Sequence, residues 1–492
     1  MDKDLISLYR SLGYNGPLPD TLPSQFTALE DATPDQIDEL PPLDLKGVEE
    51  LERMYEKDPK KMLKKMDSLN ESQMTPEYFG ALIEQARNAL THPKEFLKQM
   101  DAGIQFESLS ASAPLSWPTK YPSYDDITVE PHSHKYEPRA DLLGWIINSG
   151  SYFIGEKIGL CSKKVFRLHD EHSTSDFVYK MKDPQGNPFE FGRSVRIGLF
   201  ADFGTGEYHS RFIARNLETK FDLDYAIHLG DVYYAGRTSE FEKHMWEPLK
   251  NLMSKTRMFW MAGNHEKYSC YKPYYKFMDD KKGVGPEGLQ EQEGSYFCIR
   301  SDRYQVVAID TAFFKDGRYQ KKGRKEVEKL WNWLNDRLQE GKDHSPPLIN
   351  ILLSPNEPYN LGSRKRKGLL NDLSELVNKN LIDLWFWGNT HHAALYDKTS
   401  ETPFIGSCIG HAGHPIYNKR IKNDAKKKGL APTSWVDTTF KFPPKDFGRL
   451  RQDLNNHGFC IMELHKDKII LEYYDWLMRK HNIANFPLDI FA

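Results

Sequence analysis

Cysteine is scarce: five residues in 492, Cys161, Cys270, Cys298, Cys408 and Cys460. No two have C-x-x-C spacing, which argues against a thiolate zinc site. The count is odd and the positions are scattered, so the sequence predicts a reducing compartment rather than a disulfide scaffold. Long apolar runs are missing too. No stretch approaches the roughly 20 apolar residues a membrane helix needs, so no membrane span is expected. The first residues, Met1-Asp2-Lys3-Asp4, are charged and lack the apolar core of a secretory leader. The expected location is cytoplasmic, with export without a cleavable signal left open. Net charge is small, −3 with a pI near 6.6. The whole-chain field therefore favours no polyanion, and no nucleic-acid partner is expected. No internal repeat is present, and nothing in the sequence fixes an oligomeric state.

What remains is ample material for a core. Hydrophobic residues make up 39% and aromatics 13%, with a mean hydropathy of −0.67. The length allows two or three domains. Residues 1 to about 45 are rich in Pro and Asp, which predicts short helices broken by turns. Helical patterns follow over 47–66, 75–90 (Pro76 in the first turn) and 93–100. A Ser/Pro/Tyr-rich stretch covers 108–140, an apolar one covers 141–158, and a strand-like approach runs from Phe177 to Phe191. Residues 1–190 are thus read as a mainly helical N-terminal region of unknown function. From there to residue 492 the pattern is that of a second domain.

In that second domain strands and helices alternate. Strands are expected at 195–200, 225–229, 257–262, 305–310, 348–353, 384–387 and 468–475. Helices are expected at 209–220, 239–253, 324–340 and 369–379. Alternation followed by a β-rich end predicts an α/β sandwich: two packed mixed β-sheets flanked by helices. Long insertions after residues 266 and 410 fall on loops at strand C-termini, where α/β folds carry specificity.

Three strand ends carry polar residues. They are Ala201-Asp202-Phe203-Gly204, Gly230-Asp231-Val232-Tyr233-Tyr234 and Gly263-Asn264-His265-Glu266. In one sheet these ends converge on one edge. Carboxylate, amide, phenol and imidazole together make a hard-cation site able to activate water and bind phosphate. A lone Asp at a strand end is usually a turn or cap residue; the combination is what carries the metal reading.

The order Asp-x-Gly, Gly-Asp-x-x-Tyr, Gly-Asn-His-Glu resembles the calcineurin-like metallophosphoesterase superfamily, and most of all its purple acid phosphatase-like branch. The resemblance covers roughly residues 193–480. It includes Gly388-Asn389-Thr390-His391, Ile409-Gly410-His411-Ala412-Gly413 and the closing Gly458-to-Leu464 strand. It implies a metallophosphoesterase fold and hydrolysis of a phosphate ester by metal-activated water. The implied substrate is a phosphorylated small molecule, a nucleotide or a phosphoprotein. It implies Asp202, Asp231, Tyr234 and His391 on a first metal, with Asp231 bridging to a second that also uses Asn264. His265 becomes a general acid or phosphate-oxygen donor supported by Glu266. A Tyr234 phenolate suits Fe³⁺, and the family's range includes Fe, Mn, Zn or Mg, one or two ions per chain.

Two departures stand out. Where the family has Ser-His-His-x-Pro, this chain reads Ser354-Pro355-Asn356-Glu357-Pro358. Where it has Gly-His-x-His, this chain reads Gly388-Asn389-Thr390-His391. Both histidines belong to the second metal position. Asn356 and Asn389 offer amide oxygens instead, which suit Mg²⁺, Mn²⁺ or Ca²⁺. His392 is a third candidate replacement, although a regular strand turns it to the opposite face from His391. The second position is therefore expected to be weakened or empty. The alternative is a pseudo-phosphoesterase, a fold kept as a binding or regulatory module. Other features read as structure. His228 is expected to be a satisfied core histidine and His414 a loop residue. The basic runs Arg364-Lys365-Arg366-Lys367 and Lys426-Lys427-Lys428 are expected to be solvated faces, the alternative being recognition of phosphate, lipid or nucleic acid.

Overall fold

The computed structural model describes residues 166–173, 175–182, 194–281, 284–285, 292–312, 325–366, 368–416, 418–438 and 455–491. The helices expected before residue 101 and most of the 177–191 approach lie outside these residues. The chain divides into two compact units. The one described here comprises Lys163–Lys267, Tyr271–Phe440 and Asp453–Ala492.

Its strands are β1 (Val178–Lys180), β2 (Val195–Phe200), β3 (Tyr225–His228), β4 (Arg257–Trp260), β5 (Phe297–Arg300), β6 (Tyr304–Ala308), β7 (Ile349–Ser354), β8 (Leu384–Trp387), β9 (Ala393–Tyr396), β10 (Ile405–Ile409), β11 (Thr433–Val436), β12 (Gly458–Leu464), β13 (Lys468–Asp475) and β14 (Lys480–Pro487). They form two mixed sheets. One has the order β14-β13-β12-β2-β3-β4, the other β1-β5-β6-β7-β8-β10-β9-β11. Helices flank them, as expected: α1 (Tyr208–Lys220), α2 (Glu247–Met253), α3 (Asn264–Tyr268), α4 (Lys272–Asp280), α5 (Lys325–Asp343) and α6 (Asn418–Ala425).

The sequence explains this arrangement locally. β2 to β4 pair in parallel, and every residue of β3 and β4 is buried. Parallel strands covered on both faces need continuous apolar runs, and Tyr-Ala-Ile-His and Arg-Met-Phe-Trp supply them. β13 instead alternates, burying Ile469, Leu471, Tyr473 and Asp475 and turning Lys468, Ile470, Glu472 and Tyr474 outward. It pairs antiparallel with both neighbours, the setting in which one face stays wet. Side chains of both sheets share one core, including Val195, Ile197 and Leu199 from the first and Ile351, Leu352, Trp385 and Phe386 from the second.

Three details differ from the expected elements. The helix expected over 239–253 contains a wide π turn, Phe241–Trp246, before α2. The helix expected over 369–379 is two short helices, Gly368–Asp372 and Ser374–Asn378, separated at Leu373. β1, at residues 178–180, pairs in parallel with β5, so chain before residue 191 contributes to the second sheet. Cys298, Cys408 and Cys460 are free and buried, whereas Cys270 is disulfide-bonded. Spacing alone gave no sign of that bond. No described helix is long and apolar enough to cross a membrane.

Candidate functional site

The site is assembled from the C-terminal ends of strands in both sheets. Two residues past β2 stands Asp202, three past β3 stands Asp231, and α3 begins at Asn264 beyond β4. From the second sheet, β7 leads to Asn356 and β8 to Asn389 and His391. Backbone bonds clamp these ends together. The Asp202 amide donates to the Gly230 carbonyl at 3.0 Å, and Gly204 donates to the Asp231 carbonyl at 3.2 Å. The amide of His414 donates to the Asp202 carbonyl at 3.1 Å.

Four non-glycine residues at this junction have left-handed backbones: Asp202 (φ 58), Asp231 (φ 77), Asn389 (φ 63) and His391 (φ 53). Asp, Asn and His tolerate this region best, yet each such residue costs energy that the surrounding structure must hold. Their clustering brings the Asp202 and His391 side chains together, with the Asn389 backbone amide on Asp202. Glycines make room for them. A Cβ on Gly263 would sit 2.0 Å from Asp231 Oδ1, and one on Gly410 would sit 2.7 Å from Asp202 Oδ2.

Asp202 is fully buried. Its Oδ1 accepts the Tyr233 hydroxyl at 2.7 Å, and its Oδ2 accepts the Asn389 amide at 2.8 Å. His391 Nε2 lies 3.3 Å from the same Oδ1 and 3.2 Å from the Tyr233 oxygen. Burial pushes the Asp202 carboxyl up to about 7, against the pull of those two donors. Burial likewise raises Asp231, with His265 pulling it back and the Asp202 charge adding to the rise. His391 is pushed down to about 4 by burial, so near neutral pH its ring is neutral.

Around Asp231 the supports are local. Its Oδ1 accepts the His265 amide at 3.2 Å. The Glu266 carboxyl accepts the Gly263 amide at 2.7 Å and the Asp231 amide at 3.2 Å, so it braces the backbone of two motifs. Burial, then the Asp231 charge, raises the Glu266 carboxyl well above its ordinary value. His265 Nδ1 contacts the Tyr234 carbonyl at 2.5 Å. A carbonyl only accepts, so Nδ1 carries the proton. Burial lowers the ring's pKa, which makes Nε2 the unprotonated nitrogen of a neutral imidazole. That state accepts a proton; it does not donate one.

Several expected roles are redistributed. The phenol on Asp202 belongs to Tyr233, one residue before the expected Tyr234. Tyr234 is buried and joins the site through its backbone: its amide donates to Glu240 at 2.6 Å and its carbonyl meets His265. The replacement ligands are engaged elsewhere. Asn356 Oδ1 accepts the Thr311 hydroxyl at 2.6 Å. Asn389 donates its side-chain amide to Glu357 at 2.7 Å. His392 Nδ1 donates to the Thr390 carbonyl at 2.8 Å, with Nε2 3.4 Å from the Tyr396 hydroxyl, as a side chain on the opposite face should. Asn264 opens α3 and is half-buried.

Two histidines behave as follows. His414 lies in a loop, as expected, and there stacks on His391 with ring centroids 3.7 Å apart and packs on Tyr233 at 4.7 Å. His228 is in the core, against Phe200 and Trp260, but its Nε2 has no hydrogen-bond partner among the described residues. Burial pushes it down to about 3, so it is a neutral core ring, as expected, but one not satisfied at Nε2. Tyr233 and Glu357 were missed altogether. The doubled tyrosine in Gly-Asp-Val-Tyr-Tyr was a visible signal for Tyr233; nothing local marked Glu357.

Among the described residues, no three His, Cys, Asp or Glu side chains are grouped so as to hold a metal ion. The donor chemistry still fits one hard cation. Asp202 and Asp231 are buried carboxylates raised by desolvation, and a cation would stabilise both. Of the residues expected at a second position, Asn356 accepts from Thr311 through Oδ1, His392 is bonded to the Thr390 carbonyl through Nδ1, and Asn389 is engaged through its side-chain nitrogen.

Residues 195–393 match the family model for the calcineurin-like phosphoesterase domain. This stretch is similar to the calcineurin-like phosphoesterases and supplies strands to both sheets of the sandwich. Among solved structures the chain is similar to GAP50, the anchor in the inner membrane complex of Plasmodium, at 13% identity over 60% of this chain and 89% of that one (TM-score 0.43). It is also similar to a purple acid phosphatase from yellow lupin (Lupinus luteus) seeds, at 14% identity over 62% of this chain (TM-score 0.42). The chain spans 57% of the lupin enzyme's length. A third is the phosphopantetheinyl hydrolase of Mycobacterium tuberculosis, at 12% identity over 52% of this chain and all of that one (TM-score 0.28). No curated protein matches the sequence.

Proposed function

We propose that the chain is a hydrolase of phosphate esters working with a single cation bound between the Asp202 and Asp231 carboxylates, on which neighbouring His391 closes as a third ligand when the ion binds, in the manner of the purple acid phosphatase-like branch. The observation that carries this reading is the pair of buried carboxylates, Asp202 raised to about 7 and Asp231 raised with it. When bound, the cation supplies a Lewis acid that lowers the pKa of water and offsets charge on phosphate. The donor set, two carboxylates and one imidazole, suits Mn²⁺, Mg²⁺, Fe or Zn²⁺.

The chain's own residues do the rest. Tyr233 fixes one Asp202 oxygen, and the Asn389 amide fixes the other. The His265 amide orients Asp231. The His265 ring, neutral with its proton on Nδ1, takes a proton at Nε2 from the water side and returns it to the leaving oxygen, within reach of phosphate. A phosphorylated small molecule or a phosphoprotein is the substrate class. The compartment follows less directly. The disulfide at Cys270 weighs against the reducing cytoplasm expected from cysteine scatter.

A second reading, a pseudo-phosphoesterase used for binding, is favoured by the engagement of Asn356, Asn389 and His392 with other partners. One experiment separates them: hydrolysis of an aryl phosphate by the full chain with Mn²⁺ and with a chelator. The hydrolase reading expects Mn²⁺-dependent turnover, lost by at least ~100-fold in Asp231→Asn. Turnover that is absent with every divalent ion supplied, or unchanged in Asp231→Asn, rules it out.

A further inference from the structure

The two basic runs stand far apart in the sequence, yet the fold brings them side by side. A Cβ on Gly362 would lie 2.9 Å from the Asp424 carbonyl and 2.9 Å from Lys427 Cδ, and one on Gly429 would lie 3.4 Å from the Gly362 amide. The segment leading into Arg364 is therefore in contact with the segment that carries Lys426, Lys427 and Lys428. Arg364, Lys365, Lys426, Lys427 and Lys428 are all exposed, and Arg420 on α6 is exposed as well. Opposing charge is sparse. From Asn418 to Leu430 there are six Lys and Arg against one acid, Asp424, and that acid is half-buried and already paired with Lys427.

The patch adjoins the candidate site along the chain. His414, stacked on His391, lies four residues before the start of α6. Clustered like charges repel and cost stability, so a surface that gathers them favours a counter-charge. The kind of counter-charge can also be read. The large hydrophobics exposed among the described residues are Ile483 and Ile490 on the last strand and the turn after it, so none stands in the patch to enter a bilayer. Among the described residues of the patch there is likewise no exposed aromatic side chain on which a base would stack. Charge without an apolar or stacking component matches a small, dense anion.

We infer that this surface, formed by Arg364, Lys365, Lys426, Lys427 and Lys428, binds a soluble, multiply phosphorylated ligand and presents one of its phosphates to the adjoining site. This rests on the phosphoesterase reading for its last step but not for the binding itself. The small net charge of the whole chain hid the patch, because acids elsewhere cancel it in the sum.

The test is calorimetric binding of tripolyphosphate and of orthophosphate to the full chain, with chelator present to keep the cation site out of the measurement. Tripolyphosphate is expected to bind at least ~10-fold more tightly than orthophosphate and to weaken as salt rises. In the variant Arg364→Glu/Lys426→Glu/Lys428→Glu that preference is expected to vanish, while Mn²⁺-dependent hydrolysis of a small aryl phosphate stays within ~2-fold of the parent. Should the triple reversal fail to fold, Lys426→Gln/Lys428→Gln is expected to lose the same preference in part. Equal binding of the two anions, or undiminished tripolyphosphate binding in the variants, overturns the inference. So does tighter binding of single-stranded RNA or phosphatidylserine vesicles than of tripolyphosphate. Loss of aryl-phosphate hydrolysis in the parent with tripolyphosphate binding intact would remove the hydrolase reading and leave the surface standing.

Discussion

The two sheets bring unequal halves to one site. From the first come Asp202, Asp231 and His265, each held by backbone bonds, close glycines and buried acids. From the second come Asn356, Asn389 and His392, each spending its donors or acceptors on a neighbour that is not the site. Among the second-sheet candidate ligands, the His391 side chain reaches Asp202, and Asn389 reaches it through its backbone amide rather than its side chain. The lesson concerns what a polar side chain at a strand end is for. Where its hydrogen-bond capacity is left pointing at another functional group, desolvation raises its energy, and a ligand can lower it again. Where a neighbour satisfies it, it becomes structure.

The comparison breaks most sharply under paired substitutions. Asp231→Ala is expected to weaken Mn²⁺ binding by at least ~100-fold, and Asn356→Ala to change it by less than ~3-fold. Calorimetric titration of both variants measures this directly. Equal losses would mean that the second sheet holds the cation after all.

Glu240 sharpens the first half. Fully buried, it accepts the amides of Tyr234 at 2.6 Å, Ala235 at 3.1 Å and Arg237 at 2.9 Å, so it fixes the loop that carries Asp231 and Tyr233. Burial alone would raise its pKa, but the Arg237 charge and hydrogen bonds overcome that and hold it at about 2. A depressed carboxylate stabilises the fold above its ordinary pKa. That stability is lost as pH falls from about 4.5 through about 2. Glu240→Gln is expected to destabilise the fold by about 2–3 kcal/mol at pH 7 and to flatten this acid transition. Denaturant unfolding across pH checks both.

Asp202 has the opposite sign. Its pKa is raised from 3.8 to about 7. The stability it contributes in its protonated form is fully present below about 3.8 and lost as pH rises through about 7. Metal-free protein is therefore expected to lose stability between pH 4 and 7, with a slope of at most ~1.4 kcal/mol per pH unit from this group. Saturating Mn²⁺ should remove that slope at the upper end. Melting curves with chelator and with Mn²⁺ read it out; identical slopes would contradict the assignment.

The smallest effect separates two adjacent tyrosines. Tyr233→Phe removes the hydroxyl donated to Asp202 and should shift the melting-curve pH dependence upward, with a stability change of about 1–2 kcal/mol. Tyr234→Phe leaves that bond in place and should leave the pH dependence where it is. The reverse result would restore Tyr234 to the role the motif implies.

How much of this was legible in sequence follows from distance along the chain. β2, β3 and β4 each ended in their motif within four residues, so period, burial and chemistry agreed and Asp202, Asp231 and His265 stood out. The choice between Tyr233 and Tyr234 depends on how the loop turns beneath Glu240, a local geometry that residue spacing does not encode. The engagement of Asn356 by Thr311, of Asn389 by Glu357 and of His414 by His391 depends on contacts between segments far apart in sequence. So does the meeting of the two basic runs. The left-handed backbones at Asp202, Asp231, Asn389 and His391 were likewise invisible, although Asp, Asn and His are the residue types that bear them best.

The central claim is that one half of the site holds a cation and the other does not. The most direct test is the number of metal ions per chain, measured by elemental analysis after equilibration with excess Mn²⁺ and removal of unbound ion. The account predicts one ion in the parent protein and none in Asp231→Ala. Two ions in the parent would show that Asn356, Asn389 or His392 rebuilds the second position. None, with the fold intact, would contradict the cation site altogether.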